Sequence, residues 1–370
     1  SFLLIFPILT EYSYAKSLPP GTGEGDVPAN ILIMLDRSGS MGVAIIKGSG
    51  FENPSDIVAN DSGKVWGLHG SWDADIKKVD FDTDSRVSDF GNDGMVNHSL
   101  FTTCDTFAPS KLEYWPGGDK VFYNSPSWWT PTRIIELNAE TGTCDETYDM
   151  GNGSLRSMEV HDDKLYVALS NNLKYVDLNT GTINSCSWSG HLKSAVDGSE
   201  EILIDSAGDY FLVADNQDMH VFEMNGNCPK TSRKIKWNTG ISIYSAEFHP
   251  DDDDIIYFTT GWNSQIHKWE MDGAKDGNKI KSIGTLSDQP STASTTYTYM
   301  TTGITVDGTN NRVYVANSYK HGYQAFNFDL EPIIIGSEVA ERGGSIGSRM
   351  DGAHQAIRNI VLDSSLQSKV

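Results

Sequence analysis

The sequence predicts a mainly β chain: a β-propeller of six blades, with five to seven open to one misread unit, inserted into an incomplete α/β unit whose parts stand at the two ends. Three observations predict it. A strand-and-turn unit recurs six times at the spacing of propeller blades. The composition, with 35 Gly, 15 Tyr and 9 Trp in 370 residues, favours strands and turns over helix. An apolar strand near the N-terminus runs into an oxygen-rich loop, and the helix expected after it comes only beyond a 304-residue stretch, 43–346.

In chain order, the first nine residues, "SFLLIFPIL", are apolar but too short to span a bilayer. The small residues of "SYA" at 13–15 follow them, as at a signal-peptidase site. Residues 1–15 are therefore read as the remnant of an export signal, its charged start expected upstream of Ser1, and the protein as secreted or displayed at the cell surface. The Pro- and Gly-rich stretch from Lys16 reads as a leader. The first strand, Ile31–Leu35, ends in "DRSGSMG", which puts Asp36, Ser38 and Ser40 at alternate positions. One carboxylate and two hydroxyls converging at a strand end are hard oxygen donors, suited to Mg²⁺ and also to Mn²⁺ or Ca²⁺.

The repeat occupies the insertion. "KVWGL", "KVFYN", "KLYVA", "DYFLVA", "IIYFTT" and "RVYVAN" each read as a strand centred on an apolar or aromatic pair. With Trp66, Phe122, Tyr166, Phe211, Tyr257 and Tyr314 as markers, the steps are 56, 44, 45, 46 and 57 residues. After each marker comes a second strand ending in Asn or Asp: "VDFD", "IELN", "VDLN", "FEMN", "WEMD" and "FNFD". A shorter strand precedes each marker, as in "RSMEVHDDKLY" and "AEFHPDDDDIIY". Four short strands make a blade, and six blades close a ring without a free sheet edge at the seam. "VYVAN" and "VDLNTG" resemble propeller repeats of the YVTN, NHL and quinoprotein-like families, over about residues 55–340.

Past the propeller, Met350, Ala353, Ala356, Ile357, Ile360 and Val361 recur at helical spacing. Joining residue 42 to residue 347 gives strand, loop and helix in succession, and that joined sequence resembles the von Willebrand factor A domain with its metal-ion-dependent adhesion site. The resemblance implies that Asp36, Ser38 and Ser40 hold a divalent cation whose shell an acidic group of a protein or surface ligand completes. It implies further ligands on loops beyond Val370. Residues 16–42 would then be the leader, first strand and metal loop, 43–346 the propeller, and 347–370 the first A-domain helix. The pairing of an A domain with a propeller is similar to bacterial surface adhesins, including the type IV pilus tip family, although there the propeller follows the A domain. This implies an adhesin or binding protein with a pilus or cell-envelope partner, its propeller presenting the ligand or gating the ion. The alternative is a secreted quinoprotein-like propeller enzyme docked by an A domain. Against an enzyme, no P-loop or HExxH occurs.

The formal net charge of -22 excludes the basic footprint of a nucleic-acid binder. No segment is long enough to be transmembrane. Asp80, Asp82 and Asp84 alternate like the start of a calcium loop, but without the expected Gly, and at the position where every unit carries a turn acid or amide. "HPDDDD" (249–254) reads as a tight turn with an acidic tip, and the histidines show no ligand spacing. Cys104, Cys144, Cys186 and Cys228 follow one another at 40, 42 and 42 residues. Export favours disulfides. Equivalent sites on neighbouring blades, however, are expected to lie too far apart for one, which leaves pairing or partly buried free thiols open.

Overall fold

The computed structural model describes residues 54–69, 75–83, 85–97, 109–125, 131–260, 265–271, 280–285, 301–317, 322–330 and 333. The metal loop with Asp36, Ser38 and Ser40, the export segment, the helix of 347–370, Asp84 and Cys104 lie outside the described residues.

Six antiparallel sheets follow one another along the chain. The first holds β1 (Pro54–Ala59), β2 (Lys64–His69), β3 (Asp75–Asp80), β4 (Ser85–Arg86) and β5 (Met95–Asn97), the last two both paired with β3. The second is β6 (Leu112–Trp115), β7 (Lys120–Ser125), β8 (Thr132–Asn138) and β9 (Cys144–Gly151). The third is β10 (Leu155–His161), β11 (Lys164–Leu169), β12 (Asn172–Asp177) and β13 (Thr182–Ser185). A helix the sequence reading did not anticipate, α1 (Gly190–Asp197), leads to the fourth. That sheet is β14 (Glu201–Ile204), β15 (Tyr210–Asp215), β16 (Asp218–Asn225) and β17 (Cys228–Asn238). The fifth is β18 (Ser245–His249), β19 (Asp252–Thr259), β20 (Ile266–Met271) and β21 (Ile280–Thr285). The sixth, with three described strands, is β22 (Thr301–Asp307), β23 (Arg312–Asn317) and β24 (Gly322–Phe326).

The core shows that these sheets are blades of one ring. A blade buried on both faces reads as a nearly continuous apolar strand, and successive residues face opposite neighbours. Val121 of β7 packs with blade 1, for example, while its neighbour Phe122 packs with blade 3. Apolar clusters join blades 1 and 2, 2 and 3, 3 and 4, 4 and 5, and 5 and 6. A sixth, with Val65, Val79 and Phe81 against Tyr314, Ala316 and Tyr323, joins blade 6 back to blade 1. Across this seam Thr302 donates to the Pro54 carbonyl (3.1 Å), and Arg312 pairs with Asp82 (2.8 Å). The ring therefore has six blades.

Two expectations are corrected. Phe211 lies in the expected strand but on the wrong face: it packs toward blade 3, whereas the other five markers pack toward the following blade. Its neighbour Leu212 is the true equivalent. A one-residue shift along a strand reverses the face, and an aromatic next to a leucine gives the sequence no means to choose.

The second correction concerns the cysteines. Cys186 and Cys228 form a disulfide with Cα atoms 5.5 Å apart, and Cys144 is disulfide-bonded as well. The sites are not equivalent. Cys228 opens β17 directly after its hairpin turn, opposite Asn225, whereas Cys186 follows the end of the four-residue β13. The chain leaves blade 3 there and, through α1, crosses to blade 4. Leu192, Ala195 and Val196 of α1 fill the wedge under the bridge.

The turn acids behave as turn residues. Thr83 N–H donates to Asp80 Oδ1 at 3.0 Å, and Asn138 and Asp177 accept the same kind of bond from Thr141 and Thr180. Asp80 also pairs with Lys64, while Asp82 reaches across the seam to Arg312, so the two carboxylates are committed to different cations.

Candidate functional site in the central channel

The innermost strand of each blade lines the ring axis, so residues at one register form a layer around it. Opposite Trp66, Phe122, Tyr166, Leu212, Tyr257 and Tyr314 stand Val58, Glu113, Glu159, Leu203, Glu247 and Thr305. Two residues earlier along the same strands come Asp56, Lys111, Ser157, Glu201, Ser245 and Gly303. Asp56, Lys111, Glu113, Glu159, Glu201 and Glu247 all line a cavity of 530 Å³. Toward one mouth the cavity gives way to a 280 Å³ recess with Arg156, Glu200 and Tyr244.

The earlier layer carries its own cation. Lys111 Nζ lies 2.9 Å from Glu201 Oε2, and Glu201 also accepts from the Ser157 hydroxyl. Burial works against the Lys111 ammonium, but the charges of Glu201 and Asp56 outweigh it and hold its pKa above the ordinary value. Asp56, 5 % exposed, accepts the N–H groups of Ile57 (3.0 Å) and Leu112 (2.7 Å). Burial pushes its carboxyl up to about 7 against the pull of Lys111. Gly303 makes this geometry possible, because a Cβ there would lie 2.3 Å from Asp56 Oδ1.

The later layer is not balanced. Glu113 accepts one N–H, from Tyr114 at 3.3 Å, and none of Glu113, Glu159 and Glu247 forms an ion pair among the described residues, Lys111 of the same cavity being paired with Glu201. Burial and mutual repulsion push Glu113 and Glu159 well above the usual carboxylate range, and burial carries Glu247 up to about 8. This layer can hold protons or a cationic group.

A pH effect on stability follows. Asp56 and Glu247 bind their protons more tightly folded than unfolded, so the stability they add at low pH is lost as pH rises through about 7 and 8. His220 and His267, which burial lowers to about 4, have the opposite sign: their contribution is present above 6.5 and lost as pH falls toward 4. From pH 6.5 to 8.5 only the carboxyls act, and stability is expected to fall. Glu247→Gln, measured by denaturant unfolding at both pH values, is expected to remove on the order of 1–2 kcal/mol of that fall. An unchanged slope would remove Glu247 as its source.

Sequence reasoning quoted the strands of Glu159 and Glu247 but passed over their acids. The signal was present: "KLE", "SME" and "SAE" (111–113, 157–159, 245–247) repeat at the start of three inner strands. "HPDDDD" is a turn, as expected: Asp251 N–H donates to His249 Nδ1, and Asp253 accepts from the Ser206 backbone and hydroxyl in blade 4. No group of His, Cys, Asp and Glu among the described residues is arranged to hold a metal ion, and no described helix is long and apolar enough to cross a membrane.

No protein-family model matches the chain, and no curated protein matches it in sequence. Solved structures do match in shape. The chain is similar to the β-propeller domain of Cps50 (Swd1) from Myceliophteria thermophila, with TM-score 0.50 and 8 % identity over 76 % of this chain and 86 % of that one. It is similar to a Bacteroides thetaiotaomicron protein of unknown function, with TM-score 0.51 and 10 % identity over 74 % and 69 %. It is also similar to U3-55K, with TM-score 0.52 and 7 % identity over 75 % and 91 %. At such identities the likeness carries the fold alone: a six-bladed, WD40-like β-propeller.

Proposed function

We propose that this chain is an exported binding protein, not an enzyme, in which the propeller serves as the recognition module for a protein partner and a flanking A-domain segment holds a divalent cation. The observation that carries the reading is the seam. Pro54, at the start of the propeller, bonds to blade 6, and Ile333, at its described end, packs on the cluster shared by blades 1 and 6. Both ends thus reach one place on the ring, as a module inserted into another domain requires. Disulfide-bonded Cys144, Cys186 and Cys228 support export, because such bonds persist in oxidising compartments. In the finer form, Asp36, Ser38 and Ser40 hold Mg²⁺, Mn²⁺ or Ca²⁺, an acidic ligand group completes the shell, and the partner belongs to a pilus or the cell envelope.

The test is calorimetric titration of the three cations into the protein and into Asp36→Ala. Saturable binding at one site, weakened at least tenfold in the variant, is expected. Binding indifferent to Asp36, or absent, would overturn the metal-loop reading and leave the propeller as the binding part.

A further inference from the structure

The channel cavity carries two features of different kind. The first is its set of carboxyls, Glu113, Glu159 and Glu247, none of which forms an ion pair among the described residues, since Lys111 of the same cavity is taken by Glu201. The second is a pair of hydroxyls. Ser245 and Thr305 line the same cavity, are 3 % and 7 % exposed, and make no side-chain hydrogen bond among the described residues. Both side chains are otherwise buried and keep their hydroxyls free for the cavity, so they point to a group that exchanges hydrogen bonds with them there. Ser157, at the register of Ser245, shows the contrast: its hydroxyl is used by Glu201.

The chemistry of the missing group follows from the lining. A positive group suits it, because three carboxyls without an ion pair line the cavity and a cation can take the place of their protons. It must carry several N–H donors, because carboxyls from blades 2, 3 and 5 and hydroxyls from blades 5 and 6 lie around the channel. A bare metal ion fits poorly, since these acids do not converge as a ligand set. Its stem is apolar, because Met158, Ala246 and Ile304 line the wall between the polar groups. We infer that the channel binds an organic cation, an alkyl guanidinium or ammonium, its nitrogen donors held by Glu113, Glu159 and Glu247 and by the Ser245 and Thr305 hydroxyls. Such a group is available as the Arg or Lys side chain of a partner protein or as a free amine. The inference rests on the propeller as recognition module and is independent of the metal loop.

The experiment is calorimetric titration of the full chain at pH 8 and moderate salt with spermidine, with an Arg-containing tetrapeptide, and with the same peptide carrying Gln for Arg. Each is repeated on Glu247→Gln, Thr305→Val and Asp36→Ala, with thermal unfolding as the check that each variant is folded. One-site binding of spermidine or the Arg peptide is expected, weakened at least tenfold by Glu247→Gln, weakened severalfold by Thr305→Val and unaffected by Asp36→Ala. Binding of spermidine supports a free-amine ligand, and binding of the Arg peptide alone supports a protein side chain. Three outcomes overturn the inference: binding of neither, equal binding of the Gln peptide, or binding that Glu247→Gln leaves unchanged, which would place it on the acidic surface at large. Loss in Glu247→Gln with retention in Asp36→Ala separates this site from the metal loop.

Discussion

Replacing Cys186 and Cys228 together by Ser is expected to destabilise the protein by about 4 kcal/mol, because the bridge closes a loop of 42 residues in the unfolded chain. The effect acts mainly on the unfolded state, whose freedom the bond restricts. It also acts at a weak place in the ring. Between blades 3 and 4 the contact is made partly by the short helix α1 rather than by sheet against sheet alone, and Cys186 packs in the same cluster as Leu192 and Val196. The double variant avoids a free buried thiol, so the measured change reports the cross-link and not a new reactive group. Denaturant unfolding of the oxidised protein and the variant gives the difference directly. Reduction of the native protein is expected to cost at least as much, because Cys144 is bonded too. A loss below about 1 kcal/mol would mean that α1 and the blade interface hold the wedge without the bond.

Trp66→Ala is expected to cost about 3–5 kcal/mol, the range for removing a fully buried aromatic side chain. Trp66 is fully buried between blades 1 and 2, its ring stacked on Tyr114 at 5.3 Å between centroids. Lys78 Nζ lies 5.0 Å from its centroid and is itself buried, donating to the Ala139 carbonyl at 2.9 Å and to Glu140 at 3.0 Å. Truncating the indole therefore leaves a cavity and also removes the aromatic face over which a buried ammonium sits. Trp66→Phe separates the two contributions. The indole N–H has no hydrogen-bond partner among the described residues, so the phenyl ring sacrifices volume but no bond, and its cost is expected below about 1.5 kcal/mol. Equal losses for Phe and Ala in urea unfolding would show that the specific shape of the indole, not bulk at this seam, holds blades 1 and 2 together.

The blade repeat was legible because it is a local pattern. A buried aromatic or apolar pair in the second strand and an Asx residue in the turn after the third are both demanded by a few neighbouring residues, so each unit repeats its own evidence. Trp66, Phe122, Tyr166, Tyr257 and Tyr314 stand where the spacing put them. The local pattern failed where two adjacent residues were both suited to the interior, as Phe211 and Leu212 are. The channel acids were less legible because a single Glu in a strand reads as its solvent-facing residue. Only when six inner strands are brought around one axis do Glu113, Glu159 and Glu247, at steps of 46 and 88 residues, come to line one cavity.

The sequence by itself determined the β composition, the repeating blade unit, the turn residues and the acidic charge, since each depends on contacts within a blade or on composition. Only the tertiary structure decided which face each strand turns to its neighbour, which cysteines meet, and which carboxyls go without a cation. Those follow from ring closure: the side chains that meet across a seam or an axis come from blades tens to hundreds of residues apart, and no local rule of spacing encodes that separation.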